Sequence, residues 1–120
     1  MKAIIEIAPR GNVFDVALDQ ARAAEASPAY VADYHLSFES ARALFTELTP
    51  ARIDLLDALR RIGPCSVYAL ARHTGRNYSN VHTDVGKLVE HGLVERGSDG
   101  NVSVPFDEVE IRLSLMRKVA

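Results

Sequence analysis

The amino-acid sequence predicts an α+β fold in which a small N-terminal β-α-β extension precedes a set of helices and a β-hairpin. Three observations support this prediction. Apolar residues recur at three- and four-residue spacing in segments bounded by Gly or Pro, as in amphipathic helices. The last of these segments leads into two short apolar runs joined by a turn rich in Gly, Ser, Asp and Asn, as in a hairpin. Residues near both ends of the chain alternate between apolar and polar, as in strands.

The β-α-β extension is predicted to occupy residues 1–36. Residues 2–8 are expected to form a strand, Asn12 to Ala26 an amphipathic helix, and Ala29 to Leu36 a second strand. A unit this small buries little apolar area on its own. We therefore expect it to pack on the rest of the chain, on a second copy, or on a protein partner.

The second domain is predicted to span residues 37–120. Its first helix is expected from Ser37 to Leu48, with Ser37 as its cap. One face, which suits either the core or a dimer contact, is expected to contain Phe38, Ala41, Leu44, Phe45 and Leu48. Near the end of the chain, apolar and polar residues alternate from Val109 to Leu115, which is typical of a half-buried strand. A strand at each end of the chain suggests that the two pair, within one chain or across a two-fold axis.

A second helix of this domain is predicted between Thr49 and Gly63. Thr49 is a favourable N-cap, and the proline after it occupies the first helical position, where its missing N–H is not needed. Gly63 begins a Gly-Pro pair that ends the helix. The apolar stripe is expected to contain Ile53, Leu56, Leu59 and Ile62, widened by Leu55 and Ala58.

Two helices follow, a short one from Val67 to His73 and a longer one, separated by Gly75, which suits a left-handed turn position. Ser66 caps the first of them, and Asn77 caps the second, which ends at Gly92. The buried stripe of the second is expected to contain Val81, Val85, Leu88 and Val89. Two short helices joined by a turn that contains Gly are the signature of a helix-turn-helix.

The hairpin is predicted from two apolar strands, Leu93 to Glu95 and Val102 to Val104. The turn between them supplies the residues that tolerate a positive φ. A helix followed directly by a β-hairpin forms the second half of a winged helix-turn-helix. Because the first half stands upstream, the sequence predicts a winged helix-turn-helix domain.

Two runs of residues carry a resemblance to a known family. Pro64 to Gly75 corresponds to a positioning helix, and Asn77 to Arg96 corresponds to a recognition helix that enters the wing. Residues 49–105 thus resemble the winged-helix regulators of the MarR and ArsR type. The runs Asn77 to His82 and Val102 to Phe106 also resemble a small prokaryotic family of similar length, whose members carry a winged helix behind a short N-terminal extension and include antitoxins.

The resemblance implies a homodimer that binds double-stranded DNA and represses transcription. For the narrower family it also implies an antitoxin that represses its own toxin-antitoxin operon and holds a cognate toxin through the acidic N-terminal region. Two alternatives stay open from the residues. One is a stand-alone regulator that responds to a small ligand, and the other is a protein-interaction module that uses the winged helix as a scaffold only.

The exposed side of the last helix carries hydroxyl, imidazole, amide and amine groups, which suit the floor of a DNA major groove. Base contacts are expected from Ser79, Asn80, His82 and Thr83. Phosphate contacts are expected from Ser66, Arg72, Arg76, Asn77, Tyr78 and Lys87. Contacts from the wing are expected from Arg96 and Asn101. For Ser66 and Asn77, helix capping alone is an equally good interpretation.

The charge balance counts against tight DNA binding. The 120 residues include 14 Lys and Arg and 16 Asp and Glu, a net charge of −2. This is not the strongly basic composition of a nonspecific nucleic-acid binder. Binding therefore depends on how the charges are distributed, and Asp84 is expected close to the reading face, where it would oppose a phosphate.

An enzyme is not expected, and neither is a cofactor or a metal ion. The four histidines lack metal-ligand spacing, and no phosphate-binding loop or nucleophile motif occurs. A single cysteine, Cys65, permits no internal disulfide. The apolar run at residues 3–8 is too short for a membrane span and lacks the layout of a signal peptide, so a cytoplasmic protein with no membrane contact is predicted.

Overall fold

The computed structural model describes residues 1–8 and 32–116 of the chain. The helix predicted from Asn12 to Ala26, and the first residues of the strand predicted from Ala29, lie outside the described residues. Contacts divide the chain into two compact units, one of residues 1–45 with 106–120 and the other of residues 46–105.

Helices and strands both occur in the described residues, which confirms a mixed α and β chain. The helices are α1 (Ala41–Glu47), α2 (Pro50–Ile62), α3 (Val67–Thr74) and α4 (Tyr78–Glu90). The strands are β1 (Lys2–Ile7), β2 (Tyr34–Phe38), β3 (Glu95–Arg96), β4 (Val102–Ser103) and β5 (Glu108–Arg112). Within the described ranges, no helix is both long enough and apolar enough to cross a lipid bilayer.

The first unit contains a parallel sheet with the strand order β2-β1-β5. Ala3 in the central strand β1 pairs with Tyr34 on one side and with Val109 on the other. Ala3, Ile4 and Ile5 are all buried, as expected for the middle strand of a parallel sheet. The two terminal strands therefore pair within one chain, which is the first of the two arrangements predicted.

The position of β5 differs from the predicted grouping. The sequence assigned this strand to the domain of residues 37–120, whereas it lies in the sheet of the first unit because its backbone groups pair with those of β1. The strand also ends at Arg112 rather than at Leu115. The alternation of apolar and polar residues continues beyond the last residue that pairs with β1, and Leu115 in this continuation is exposed.

The predicted start of the first helix, Ser37, is wrong. Ser37 belongs to β2, where it pairs with Glu6 of β1, and the helix begins at Ala41. Parallel pairing thus satisfies the backbone groups that the prediction assigned to a helix. Ser40 takes over the capping role, since its Oγ accepts a hydrogen bond from the backbone N–H of Ala43 at 3.1 Å.

The faces of α1 also differ in part from the expectation. Leu44 and Leu48 are buried, as predicted for the core face. Phe45, which was predicted on the same face, is 48% exposed. The dimer-contact interpretation of this helix stays a prediction.

Helix α2 begins and ends where the sequence predicts. Thr49 Oγ1 accepts a hydrogen bond from the backbone N–H of Arg52 at 3.3 Å, and Gly63 ends the helix with a φ of 86°. The buried face contains Leu55, Leu56 and Leu59. The prediction that Ile53 and Ile62 are buried is wrong, since both are more than one-third exposed. They are nine positions apart, which is about two and a half helical turns, so they point to opposite sides of the helix.

Two glycines at positive φ end α3 and α4, as predicted. Gly75 follows α3 with a φ of 68°, and Gly92 follows α4 with a φ of 76°. After α4, the backbone N–H of Gly92 donates to Val89 O and that of Leu93 donates to Leu88 O, both at 3.0 Å. This pair of hydrogen bonds is a Schellman motif, which favours Gly at the left-handed position.

The hairpin is present, with shorter strands than predicted. Arg96 in β3 pairs with Val102 in β4, and the turn closes through a hydrogen bond from Gly97 N to Asn101 O at 2.8 Å. Val102 also forms an antiparallel bridge with Cys65, the residue before the cap of α3. The hairpin is thereby connected by backbone hydrogen bonds to the start of α3.

Candidate nucleic-acid interface

The N-terminus of α4 is fixed by Asn77. Its Oδ1 accepts hydrogen bonds from the backbone N–H groups of Ser79 at 2.9 Å and Asn80 at 3.3 Å. Ser66 does the same for α3, since its Oγ accepts from the backbone N–H of Ala69 at 3.0 Å. The capping interpretation of both residues is therefore confirmed, and their predicted contacts with phosphate stay predictions.

Replacing Asn77 with Ala is expected to lower the free energy of unfolding by about 1 kcal/mol, because two N–H groups of α4 lose their acceptor. Asn77→Ser is the matched control and should keep most of the stability, since Ser is also a good N-cap. Urea unfolding followed by circular dichroism measures both. Equal losses in the two variants would contradict a capping role.

The two faces of α4 divide as the sequence predicts. Val81, Val85 and Leu88 are fully or almost fully buried, and Val89 is half-buried. The N-terminal half of the opposite face is exposed and contains Tyr78, Ser79, Asn80, His82 and Thr83. The exposed side chains thus lie within one and a half turns of the helix N-terminus, where the helix dipole favours a negatively charged ligand.

Three aromatic rings lie near one another at the N-terminal ends of α3 and α4. The ring centroids of Tyr68 and Tyr78 are 6.5 Å apart, and those of Tyr78 and His82 are 5.8 Å apart. Tyr68 is 60% exposed and Tyr78 is 49% exposed. We call these three residues the ring cluster. The guanidinium of Arg72 lies 5.9 Å from the centroid of the Tyr68 ring, within the range of a cation–π interaction.

Tyr68 was not among the predicted interface residues. One signal in the sequence could have found it: it falls beside the apolar stripe of α3 rather than in it, since Val67, Leu70 and Ala71 are the buried residues of that helix. A second exposed aromatic residue, beside Tyr78, forms a contiguous aromatic patch, and such patches mark interaction sites more often than single exposed rings do.

Asp84 does not oppose a phosphate in the way that its position in the sequence suggests. Its Oδ2 accepts from Arg76 Nη2 at 2.7 Å, and its Oδ1 accepts from Arg52 Nε at 3.0 Å. The side chain is only 14% exposed. Burial alone would raise the pKa of Asp84, but the hydrogen bonds from Arg76 and Arg52 outweigh it and leave this pKa below its ordinary value.

The contacts of Asp84 continue into a longer chain of ionisable groups. Arg52 Nη1 donates to the backbone oxygen of Glu47 at 2.8 Å and lies 3.6 Å from its Oε2. His91, directly after α4, places its Nε2 3.2 Å from the same Oε2. The hydrogen bond with His91 is the main reason why the pKa of Glu47 is lowered. We call Arg76, Asp84, Arg52, Glu47 and His91 the ion-pair chain, and it connects the middle and the end of α4 to α2.

The predicted cations have different surroundings. Arg76 belongs to the ion-pair chain, so its charge is largely balanced within the protein. Lys87 lies 3.5 Å from Glu90 on the exposed surface of α4, in a weak intrahelical pair. Arg96 is exposed in β3, and Asn101 uses its backbone to close the hairpin turn.

Negative side chains are absent from a long part of this surface. The sequence contains no Asp or Glu from Pro64 to Thr83, a stretch that includes α3 and the exposed half of α4. The same stretch contains two arginines and two histidines. Residues 64–104 contain four Lys and Arg and four Asp and Glu, but the charges are unevenly distributed, because every acid of that range lies at Asp84 or later.

The hydroxyl of Thr83 has a partner within its own helix, since Oγ1 donates to the backbone oxygen of Ser79 at 3.1 Å. The hydroxyl hydrogen is therefore occupied, and a base contact by Thr83 would use its methyl group or an oxygen lone pair. This narrows the kind of base contact that the residue can make.

Metal and thiol chemistry find no support at this surface. Among the residues that the structure describes, no group of three or more His, Cys, Asp or Glu side chains is arranged to hold a metal ion. Burial raises the pKa of the Cys65 thiol, which makes the reactive thiolate less abundant.

Comparison with known proteins gives one match. The model of the family described as HVO_A0114 matches residues 47–111, more than half of the chain, from the end of α1 into β5. No curated protein and no solved structure matches the sequence.

Proposed function

The chain belongs to the HVO_A0114 family, and we propose that it is a winged helix-turn-helix protein that binds double-stranded DNA and represses transcription. The observation that carries this proposal is the exposed, acid-free surface formed by α3 and the first half of α4. Such a surface can approach a phosphate backbone because no carboxylate on it repels the DNA.

The order of elements supports the winged-helix assignment. Helices α3 and α4 are joined by a short turn that begins at Gly75, in the left-handed conformation, and α4 leads through Gly92 into the β3–β4 hairpin. In a helix-turn-helix the second helix enters the major groove with its N-terminal residues at the base edges. In this chain the N-terminal half of α4 exposes the side chains of Ser79, Asn80, His82 and Thr83.

Each side chain has a distinct role in the proposed complex. The base-reading residues are Ser79, Asn80, His82 and Thr83, which expose hydroxyl, amide and imidazole groups. The phosphate contacts come from Arg72 and Lys87, while Arg76 holds Asp84 and acts on DNA only indirectly. Arg96 and Asn101 would contact the flanking backbone from the hairpin.

The proposal also concerns how many copies of the chain bind DNA and which other partners it has. Two copies of the chain would double the phosphate contacts, which is how a modest patch per subunit can support specific binding. The role as an antitoxin, the toxin partner and the response to a small ligand stay predictions. A short toxin-like reading frame beside the gene would favour the antitoxin.

The proposal is tested by selecting preferred duplexes from a randomised pool and titrating the best one with salt, beside a scrambled duplex. His82→Ala is expected to weaken binding to the selected duplex by about tenfold or more and to leave scrambled DNA unaffected, because it removes a base contact. Lys87→Ala is expected to weaken both and, in a complex with two copies of the chain, to reduce the magnitude of the slope of log K against log salt by about 1.8, which is about 0.9 for each copy.

Arg61→Ala is the matched control. Like Lys87, Arg61 is an exposed cation in an intrahelical ion pair, but it lies on α2 with Asp57 as its partner. The Arg61→Ala variant should bind both duplexes as tightly as the unmodified protein does. Equal and weak binding of the unmodified protein to selected and scrambled DNA would contradict the proposal and would favour the protein-interaction module.

A further inference from the structure

The ring cluster contains one residue, Tyr68, for which the sequence predicts neither a base contact nor a phosphate contact. Tyr68 lies on α3, and its exposed ring contacts both the Arg72 guanidinium and the ring of Tyr78, the first residue of α4. Exposed aromatic rings in contact with one another are costly to leave in water, and such surfaces commonly mark a binding site.

The charge of Arg72 is available for an external partner. Among the side chains that the structure describes, no carboxylate pairs with Arg72, and its guanidinium lies over the Tyr68 ring. Arg52 and Arg76, by contrast, are held by Asp84. Tyr68 and Arg72 are four positions apart on one helix, so the guanidinium lies beside a ring that itself contacts Tyr78 at the start of α4.

We propose that Tyr68 is a positioning residue of the DNA interface, which holds the Arg72 guanidinium in the place where it meets a backbone phosphate beside the N-terminus of α4. This inference rests on the proposed function. A long side chain that is already oriented loses less conformational entropy when it binds. The ring therefore strengthens the phosphate contact of Arg72 without touching a base itself.

The test compares four variants with the unmodified protein on the selected duplex: Tyr68→Ala, Tyr68→Phe, Arg72→Ala and the double variant Tyr68→Ala/Arg72→Ala. The measured quantities are the affinity and the slope of log K against log salt, with circular dichroism as the check that each variant is folded. A neutral tyrosine releases no counterion, so a change of slope on its removal reports on Arg72.

With two copies bound, we expect Arg72→Ala to reduce the magnitude of the slope by about 1.8, which is about 0.9 for each copy. Tyr68→Ala should weaken binding about threefold for each copy and reduce the magnitude of the slope by a smaller amount. The double variant should bind as Arg72→Ala does. Tyr68→Phe keeps the ring, so its slope should match that of the unmodified protein.

An unchanged slope in Tyr68→Ala would overturn the inference, as would effects of Tyr68→Ala and Arg72→Ala that add in full. The same holds if Tyr68→Phe behaves like Tyr68→Ala, because the hydroxyl rather than the ring would then be responsible. In each of these outcomes the unmodified protein still prefers the selected duplex, so the proposed function stands. Loss of that preference in the unmodified protein would overturn both proposals.

Discussion

Replacing Asp84 with Asn is expected to lower the free energy of unfolding by about 2–4 kcal/mol at neutral pH. The carboxylate accepts hydrogen bonds from Arg76 at 2.7 Å and from Arg52 at 3.0 Å in a largely buried position. An uncharged amide cannot balance two guanidinium groups, and its NH₂ group would face one of them. Urea unfolding of the two proteins at neutral pH measures the difference.

The hydrogen bonds of Asp84 also predict that the stability of the protein depends on pH. The pKa of Asp84 in the folded protein lies below its ordinary value, so the stabilising contribution is fully present above about pH 4. It is lost as the pH falls through the lowered pKa, because the folded protein must then protonate the carboxylate. The difference between the unmodified protein and Asp84→Asn should therefore shrink as the solution is acidified.

Asp57→Asn is the matched control for this experiment. Asp57 pairs with Arg61 four positions along α2, and both side chains are exposed. Its replacement should change the stability by no more than about 0.5 kcal/mol, since exposed pairs contribute little. A loss in Asp84→Asn as small as that of Asp57→Asn, or one independent of pH, would contradict a stabilising role for the ion-pair chain.

Replacing Leu88 with Ala is expected to lower the free energy of unfolding by about 2–5 kcal/mol, because the side chain is almost fully buried and its removal leaves a cavity. Leu88 lies on the face of α4 opposite the exposed polar side chains, and its backbone oxygen accepts from Leu93 and Val94 at the entry to the hairpin. Loss of its packing would weaken the connection between α4 and the second unit's core.

Thermal and urea unfolding measure this loss of stability. Leu88→Met is a second variant that is expected to fold, with a loss in the free energy of unfolding below about 1.5 kcal/mol. Val89→Ala is the neighbouring control and should cost less than Leu88→Ala, because Val89 is only half-buried. Equal costs for Leu88→Ala and Val89→Ala would contradict the assignment of the buried face.

The helices of the second unit could be predicted because their signals are local. Thr49, Ser66 and Asn77 cap the helices that follow them, and the glycines at 75 and 92 adopt a positive φ after the helices that they end. Each of these features depends on hydrogen bonds within a few residues of chain. Periodicity likewise identified the buried face of α4.

The strand boundaries could not be predicted in the same way. Ser37 is a good helix cap by residue type, yet it pairs with β1, which lies thirty residues earlier in the chain. Sequence periodicity contains no information about which distant strand offers hydrogen-bond partners. The same reason explains why the apolar alternation after Arg112 did not end where the strand ends.

The sequence alone determined where the helices of the second unit begin and end and which side of α4 is exposed, because capping and amphipathic spacing act over a few residues. Only the tertiary structure decided the surroundings of the charged and aromatic side chains. Asp84 is neutralised by Arg52, which is 32 positions away in the chain, and Tyr68 meets Tyr78 across the turn between two helices. Contacts of this kind arise when separate elements pack together, and they balance the charge of Asp84, the first acid after the stretch from Pro64 to Thr83 that contains none.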